Sequence, residues 1–159
     1  MKKRLSTLCV LAIAILMMFS LSACAAKEQT ATLESTEEGG GFNIAVALTL
    51  DAKGDKVYKI TQVFSLDYTE AGLTEEDASA YADQMESDLQ DQISGIDGAI
   101  YTCSLEGTLI KETFVFDTST PEQVQQIIDA QLLDLEDNTQ IISFKQSVDK
   151  LQQNGWTLK

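Results

Sequence analysis

Histidine is absent from this chain, arginine occurs once, at Arg4, and proline once, at Pro121. Each scarcity removes a class of chemistry. Without imidazole there is no histidine base for a nucleophilic triad. Zinc sites lack imidazole and, with only three scattered cysteines, thiolate partners as well. No glycine loop has the spacing that cradles phosphate, and arginine to clamp it is missing from the body of the chain. Carboxylate pairs alone can serve a glycosidase, but with 25 acidic residues such pairs are unavoidable by chance, and the domain is small for a sugar cleft. The chain is therefore expected to be non-enzymatic, with no catalytic residues and no cofactor.

Long apolar runs are also lacking. The longest, Leu8 to Phe19, holds twelve residues, which as a helix cover roughly 18 Å of a ~30 Å hydrocarbon core. Preceded by Lys2, Lys3 and Arg4, it has the pattern of an export signal. The stretch that follows, Leu21-Ser22-Ala23-Cys24, resembles the bacterial lipobox. In that motif the thiol is joined to diacylglycerol and the chain is cut just before it. Leu21, Ser22 and Ala23 are then the residues the signal peptidase reads, small at the last two positions so that backbone enters a narrow cleft. Cys24 becomes the lipid-bearing first residue, with residues 1–23 removed. Several acyl chains on one residue exceed what stable anchoring needs. The expected location is the cell envelope, on the outer face of the cytoplasmic membrane, or at an outer membrane if the cell has one.

Removal of residues 1–23 takes three positive charges and no acid, leaving 8 lysines against 25 Asp+Glu, a net −17. Such a chain is repelled by phosphate backbones, which excludes nucleic acid as a natural partner. It also stands off from anionic headgroups, so the lipid is expected to hold it. Cys103 is the only thiol left, unable to make an internal disulfide. The spacing Tyr101, Cys103, Leu105 places its sulfur on the apolar side of a strand, as a buried structural cysteine.

Residues 24–41 are polar, acidic and end in three glycines, and a disordered tether is expected there. Residues 42–159 have the size of a single domain. Phe42, Ile44, Val46, Leu48 and Leu50 alternate as a strand. After a longer turn over Asp51–Lys56, a second strand carries Tyr58, Ile60, Phe64, Leu66 and Tyr68 on one face. Thr74-Glu75-Glu76-Asp77 has capping-box spacing and opens an amphipathic helix through Ala78, Tyr81, Ala82, Met85, Leu89 and Ile93. The plan then repeats: strands Ala99–Leu105 and Thr108–Asp117, a second box at Thr120-Pro121-Glu122-Gln123, and a shorter helix. A last helix spans Ser143 to Asn154, stopped by Gly155, with Trp156 to Leu158 as a short edge strand or packed tail. The fold class predicted is α+β: a two-layer sandwich of mostly antiparallel sheet with helices on one face, built from tandem ββα units plus a C-terminal helix.

Oxygen-rich segments at Asp51–Asp55 and Asp134–Asn138 suggest calcium by composition, but neither fits the twelve-residue calcium loop, so no metal ligand is assigned. The strand aromatics are expected in the core, and Trp156 as a cap on it.

Gly54-Asp55-Lys56-Val57, the long helix after Thr74, the strand ending Thr113-Phe114-Val115-Phe116-Asp117, and the ending Leu151-Gln152-Gln153-Asn154-Gly155-Trp156-Thr157-Leu158-Lys159 resemble the YehR-like family of small bacterial lipoproteins. The resemblance covers roughly Gly54 to Lys159 and includes the lipobox. As that family is a domain of unknown function, it implies a lipid-anchored α+β module and no activity. Two functions remain open: a non-enzymatic module that binds or supports another envelope component, or a small-ligand or cation-binding module, calcium included, of an envelope sensing or transport system.

Overall fold

The computed structural model describes residues 26–39, 42–133 and 140–159. Strands β1 (Glu28–Gly39), β2 (Phe42–Lys53) and β3 (Lys56–Asp67) run as a long antiparallel meander. β4 (Ala99–Glu106) and β5 (Leu109–Asp117) form a hairpin that joins through β5 to β3. With the two-residue β6 (Thr157–Leu158) the sheet has six strands in the order β4-β5-β3-β2-β1-β6. Three helices complete the fold: α1 (Glu75–Ile93), α2 (Pro121–Asp129) and α3 (Phe144–Gln153). The architecture is α+β, as the alternating and helical periodicities predict.

Register explains the core. Ala31 lies opposite Leu50, Leu50 opposite Ile60, Ile60 opposite Phe116, and Phe116 opposite Ala99. Because side chains alternate across a strand, this whole row shares one face. Leu50, Ile60 and Phe116 pack there with Val124 and Ile127 of α2 and with Ile142, while Phe144, Val148 and Leu151 of α3 close over them. The other half of the same face gathers Tyr101, Cys103 and Ile110 under Ala78, Ala82 and Ile93 of α1.

Both helix starts in the ββα units are fixed as their sequences predict. Thr74 accepts from the Asp77 N–H and the Asp77 carboxylate reaches back to the Thr74 N–H; Thr120 and Gln123 do the same, with Pro121 in the first turn. The units also share an exit. The Asp67 carboxylate accepts from the Thr69 N–H at 2.9 Å, and the Asp117 carboxylate from the Ser119 N–H at 2.8 Å. The aspartates that end β3 and β5 therefore turn the chain towards its helix by the same local bond.

The structure corrects the reading of residues 24–41. From Glu28 to Gly39 the chain is a twelve-residue strand in unbroken register with β2, so the domain begins near residue 28. Its polar composition conceals a period of two. Ala31 and Leu33 point into the core, Leu33 with 0% of its surface exposed, while Thr30, Thr32, Glu34 and Thr36 take the other face. β-Branched threonine suits such a half-wetted surface. β2 supplies the backbone partners and the helices the cover, so the segment does not have to offset its ordering entropy alone.

Two smaller corrections fall at the next hairpin. The turn expected over Asp51–Lys56 is only Gly54-Asp55, the strands running to Lys53 and from Lys56. A bulge then leaves Tyr58 as the extra residue between the Asp51–Lys59 and Ala52–Val57 pairs. The shift puts Val57, not Tyr58, in the core, where it is fully buried against Ala52 and Leu50.

Replacing Leu33 by alanine is expected to lower unfolding stability by about 2–5 kcal/mol, measured by urea titration of the purified protein. A change within about 0.5 kcal/mol, the scale of surface substitutions, would mean that residues 28–39 are not part of the fold.

Candidate functional site

Cys24 and the expected recognition residues Leu21, Ser22 and Ala23 lie outside the described residues, as does the acidic segment Asp134–Asn138. The start of the described chain is held tightly. The Gly54 N–H donates to the Lys27 carbonyl at 2.9 Å, and the Gln29 side-chain amide donates to the Gly54 carbonyl. Gly54 has φ +63°, and a β-carbon there would sit 3.2 Å from that of Ala26. Glycine is thus required twice at the hairpin tip, for its left-handed backbone and for the close passage of the incoming chain.

The same tip collects α3. The Asp55 carboxylate accepts from the Lys145 N–H at 2.8 Å and from the Ser143 hydroxyl at 2.7 Å, and the Phe144 N–H donates to the Asp55 carbonyl at 2.8 Å. The Lys145 N–H first, then the Ser143 hydroxyl, holds the Asp55 carboxyl below its ordinary range. Asp51 is likewise engaged. Partial burial raises its pKa, but the ammonium of Lys59 at 2.7 Å and the Thr30 hydroxyl at 2.6 Å outweigh that and bring it down. The carboxylates that made Asp51–Asp55 look like a cation loop therefore serve the fold: Asp51 is salt-bridged and Asp55 caps a helix.

Lysines gather at this corner. Lys27, Lys53, Lys56, Lys59 and Lys145 all belong to it, five of the eight that follow Cys24. Lys56 reaches sideways to donate to the Ser119 carbonyl at 2.6 Å, a neutral acceptor that leaves its charge uncompensated.

A second polar group lies under α1. Register sets Cys103 opposite Glu112 and Tyr101 opposite Phe114, all on the helix-covered face. Sequence reasoning missed Glu112, an acid at a core position of a strand whose alternation, Ile110, Glu112, Phe114, Phe116, marks it as inward. Burial pushes its carboxyl above the ordinary glutamate range, and the Tyr101 and Tyr81 hydroxyls only partly oppose this. Burial raises the Cys103 thiol as well, so its thiolate is disfavoured and it behaves as the inert core cysteine predicted. Tyr101 is 1% exposed, and its hydroxyl lies beside Glu112 and Cys103 without a hydrogen bond of good geometry. The cluster is packed by aromatics: Tyr101 and Phe114 centroids are 4.6 Å apart, and Phe64 meets Phe114 edge-on at 6.2 Å.

Other sequence leads fall into structural roles. Trp156 is half-buried, its backbone N–H donating to the Leu151 carbonyl just past the Gly155 turn that stops α3. Among the described residues no three His, Cys, Asp or Glu side chains converge as a metal-binding group. An open depression of about 580 Å³ lies where β1 and β2 meet the C-terminal tail, lined by Ser35, Ala45, Ala47 and Ser65. Its acid, Glu34, is paired with Lys159 at 2.6 Å.

A six-stranded antiparallel sheet under three helices, with its start clamped at the β2–β3 tip, defines a small α+β module. The chain belongs to the DUF1307 family of proteins of unknown function, which matches residues 29–157 and so takes in β1. It is similar in structure to the YehR protein of E. coli, solved by NMR, with a TM-score of 0.59 at 21% identity over 85% of this chain and 93% of that one. A protein from Streptococcus pneumoniae TIGR4, also solved by NMR, gives a TM-score of 0.56 at 15% identity over 84% and 86%. At these identities the likeness is one of fold, and the domain is YehR-like. No curated protein matches the sequence.

Glu112→Gln isolates this half-buried carboxyl. A glutamate whose folded pKa is raised binds its proton more tightly in the native state. Its ionisation therefore costs stability, which is lost as pH rises through the folded value. Thermal melts are expected to show the variant more stable than the parent at pH 7–8, with the difference vanishing at pH 4 and below. Equal melting at both pH values would mean that Glu112 is solvated.

Proposed function

We propose that this protein is a lipid-anchored, non-enzymatic component of the bacterial envelope, whose domain binds or supports another envelope component. One observation carries the reading: a basic start, a twelve-residue apolar core and Leu21-Ser22-Ala23-Cys24 follow in order and at export-signal spacing. The scarcity of catalytic residue types supports the non-enzymatic part. The chain has no imidazole, its remaining thiol is buried and held protonated, and its shifted carboxyl lies under a helix. In this reading Cys24 carries a diacylglyceryl group, Leu21, Ser22 and Ala23 direct cleavage, and the domain stands on the outer face of the cytoplasmic membrane, or on an outer membrane where one exists.

The partner recognised is of envelope chemistry, and nucleic acid is disfavoured by a mature charge of −17. Of the two loops that suggested calcium, the described one offers carboxylates already bound to Lys59, Ser143 and the Lys145 N–H, so the cation reading gains nothing from it.

Cys24→Ala tests the proposal. The parent is expected in the membrane pellet with an intact mass of residues 24–159 plus lipid; the variant should keep its export signal uncut or appear without the lipid mass. Identical processing, mass and sedimentation in the two would overturn the anchor.

A further inference from the structure

We propose that the corner where β1 begins lies on the membrane surface, with Lys27, Lys53 and Lys56 set against anionic lipid headgroups. The inference rests on the lipidation of Cys24 and adds an orientation to it. Ala26 already touches the Gly54 tip, and the Lys27 carbonyl is bonded to the Gly54 N–H. Only two chain steps separate Cys24 from Ala26, at most about 7 Å when fully extended. That is shorter than the ~8 Å over which charges interact at physiological ionic strength. An acyl chain on Cys24 therefore holds the β2–β3 hairpin tip, flanked by Lys53 and Lys56, at headgroup level.

The charges are sorted along the strands to match. The acids of this corner are engaged: Asp51 is paired with Lys59 and Asp149 with Lys145, Asp55 accepts from the start of α3, Asp117 lies opposite Lys59 and accepts from the Ser119 N–H, and Glu28 stands beside Lys53. The opposite end of the sheet is acidic, with Glu37 near the end of β1, Asp67 closing β3, Glu106 closing β4, and Glu75 and Glu76 at the α1 start. Lys111 is paired there with Glu106. A body with net charge −17 is repelled as a whole by an anionic bilayer. The arrangement that reduces this repulsion puts its lysine corner down and its acidic end outward. The anchor emerges at that corner.

The test uses the mature lipoprotein, purified in detergent and reconstituted into vesicles of phosphatidylcholine alone or with one quarter phosphatidylglycerol. An amine-reactive probe labels the lysines, and mass spectrometry reads each rate. An anionic surface near about −30 mV lowers the local pH by roughly half a unit, leaving about threefold fewer reactive amines. Lys27, Lys53 and Lys56 are expected to label at least about threefold slower in the phosphatidylglycerol vesicles than in detergent, and less slowly in phosphatidylcholine, with Lys111 and Lys150 unchanged. In the Lys53→Gln/Lys56→Gln variant, Lys27 should lose part of its protection at unchanged lipid mass. Equal rates at all lysines, or protection of Lys111 and Lys150 instead, in a chain that carries the lipid mass and floats with the vesicles would overturn this orientation and leave the anchor standing. A chain that neither carries the lipid mass nor floats would overturn both.

Discussion

The structure depends on the twelve-residue ladder between β1 and β2. It covers a strand edge that would otherwise expose unpaired amides and carbonyls along Phe42–Lys53, it brings Leu33 and Ala31 into the core, and it delivers β6 a partner at Leu33 and Glu34. It also fixes where the polypeptide enters the body. Because Glu28 lies opposite Lys53, the incoming chain must pass the β2–β3 tip, and Gly54 is the residue that lets it through. The placement of Lys27 beside Lys53 and Lys56 follows from that one pairing.

Where local physics decides, the sequence is transparent. The two capping boxes open α1 and α2 at Thr74 and Thr120 because a threonine oxygen and a side chain three residues on satisfy the orphan amides of a first turn without help from elsewhere. Alternation of Ile110, Phe114 and Phe116 marks an inward strand face by itself. β1 was opaque for the opposite reason. Threonine and glutamate on its wet face and a single large apolar residue on its dry one give it little burial of its own, and its order comes from β2. The bulge at Tyr58 was hidden in the same way, since an inserted residue is defined only by the strand across from it.

The polar group under α1 shows how much of a site alternation reveals and where it stops. Position 112 is inward by period, and an acid there is visible in the sequence as an exception. Its neighbours are not, because Tyr81 arrives from a helix and Tyr101 from the paired strand. The same holds for the lysine corner. Lys53 and Lys56 are close in sequence, but Lys27 and Lys145 join them only through the β1–β2 register and the capping of α3 by Asp55. Surface ion pairs such as Lys59–Asp51 and Lys159–Glu34 each contribute little to stability. Their larger effect is on the field, since they leave the acidic excess to be set by where the unpaired residues fall.

The central claim is that the folded body begins at Glu28, so that almost no free chain separates Cys24 from the sheet. Hydrogen exchange of the backbone amides from Thr30 to Glu37, followed by mass spectrometry on the native protein, measures this directly. Protection of the alternate amides that face β2, matching that of the β2 amides bonded to β1, is the result expected, since amides held in that ladder open only with the fold. Exchange of this stretch at the rate of an unstructured peptide, while β2 and β3 stay protected, would contradict it.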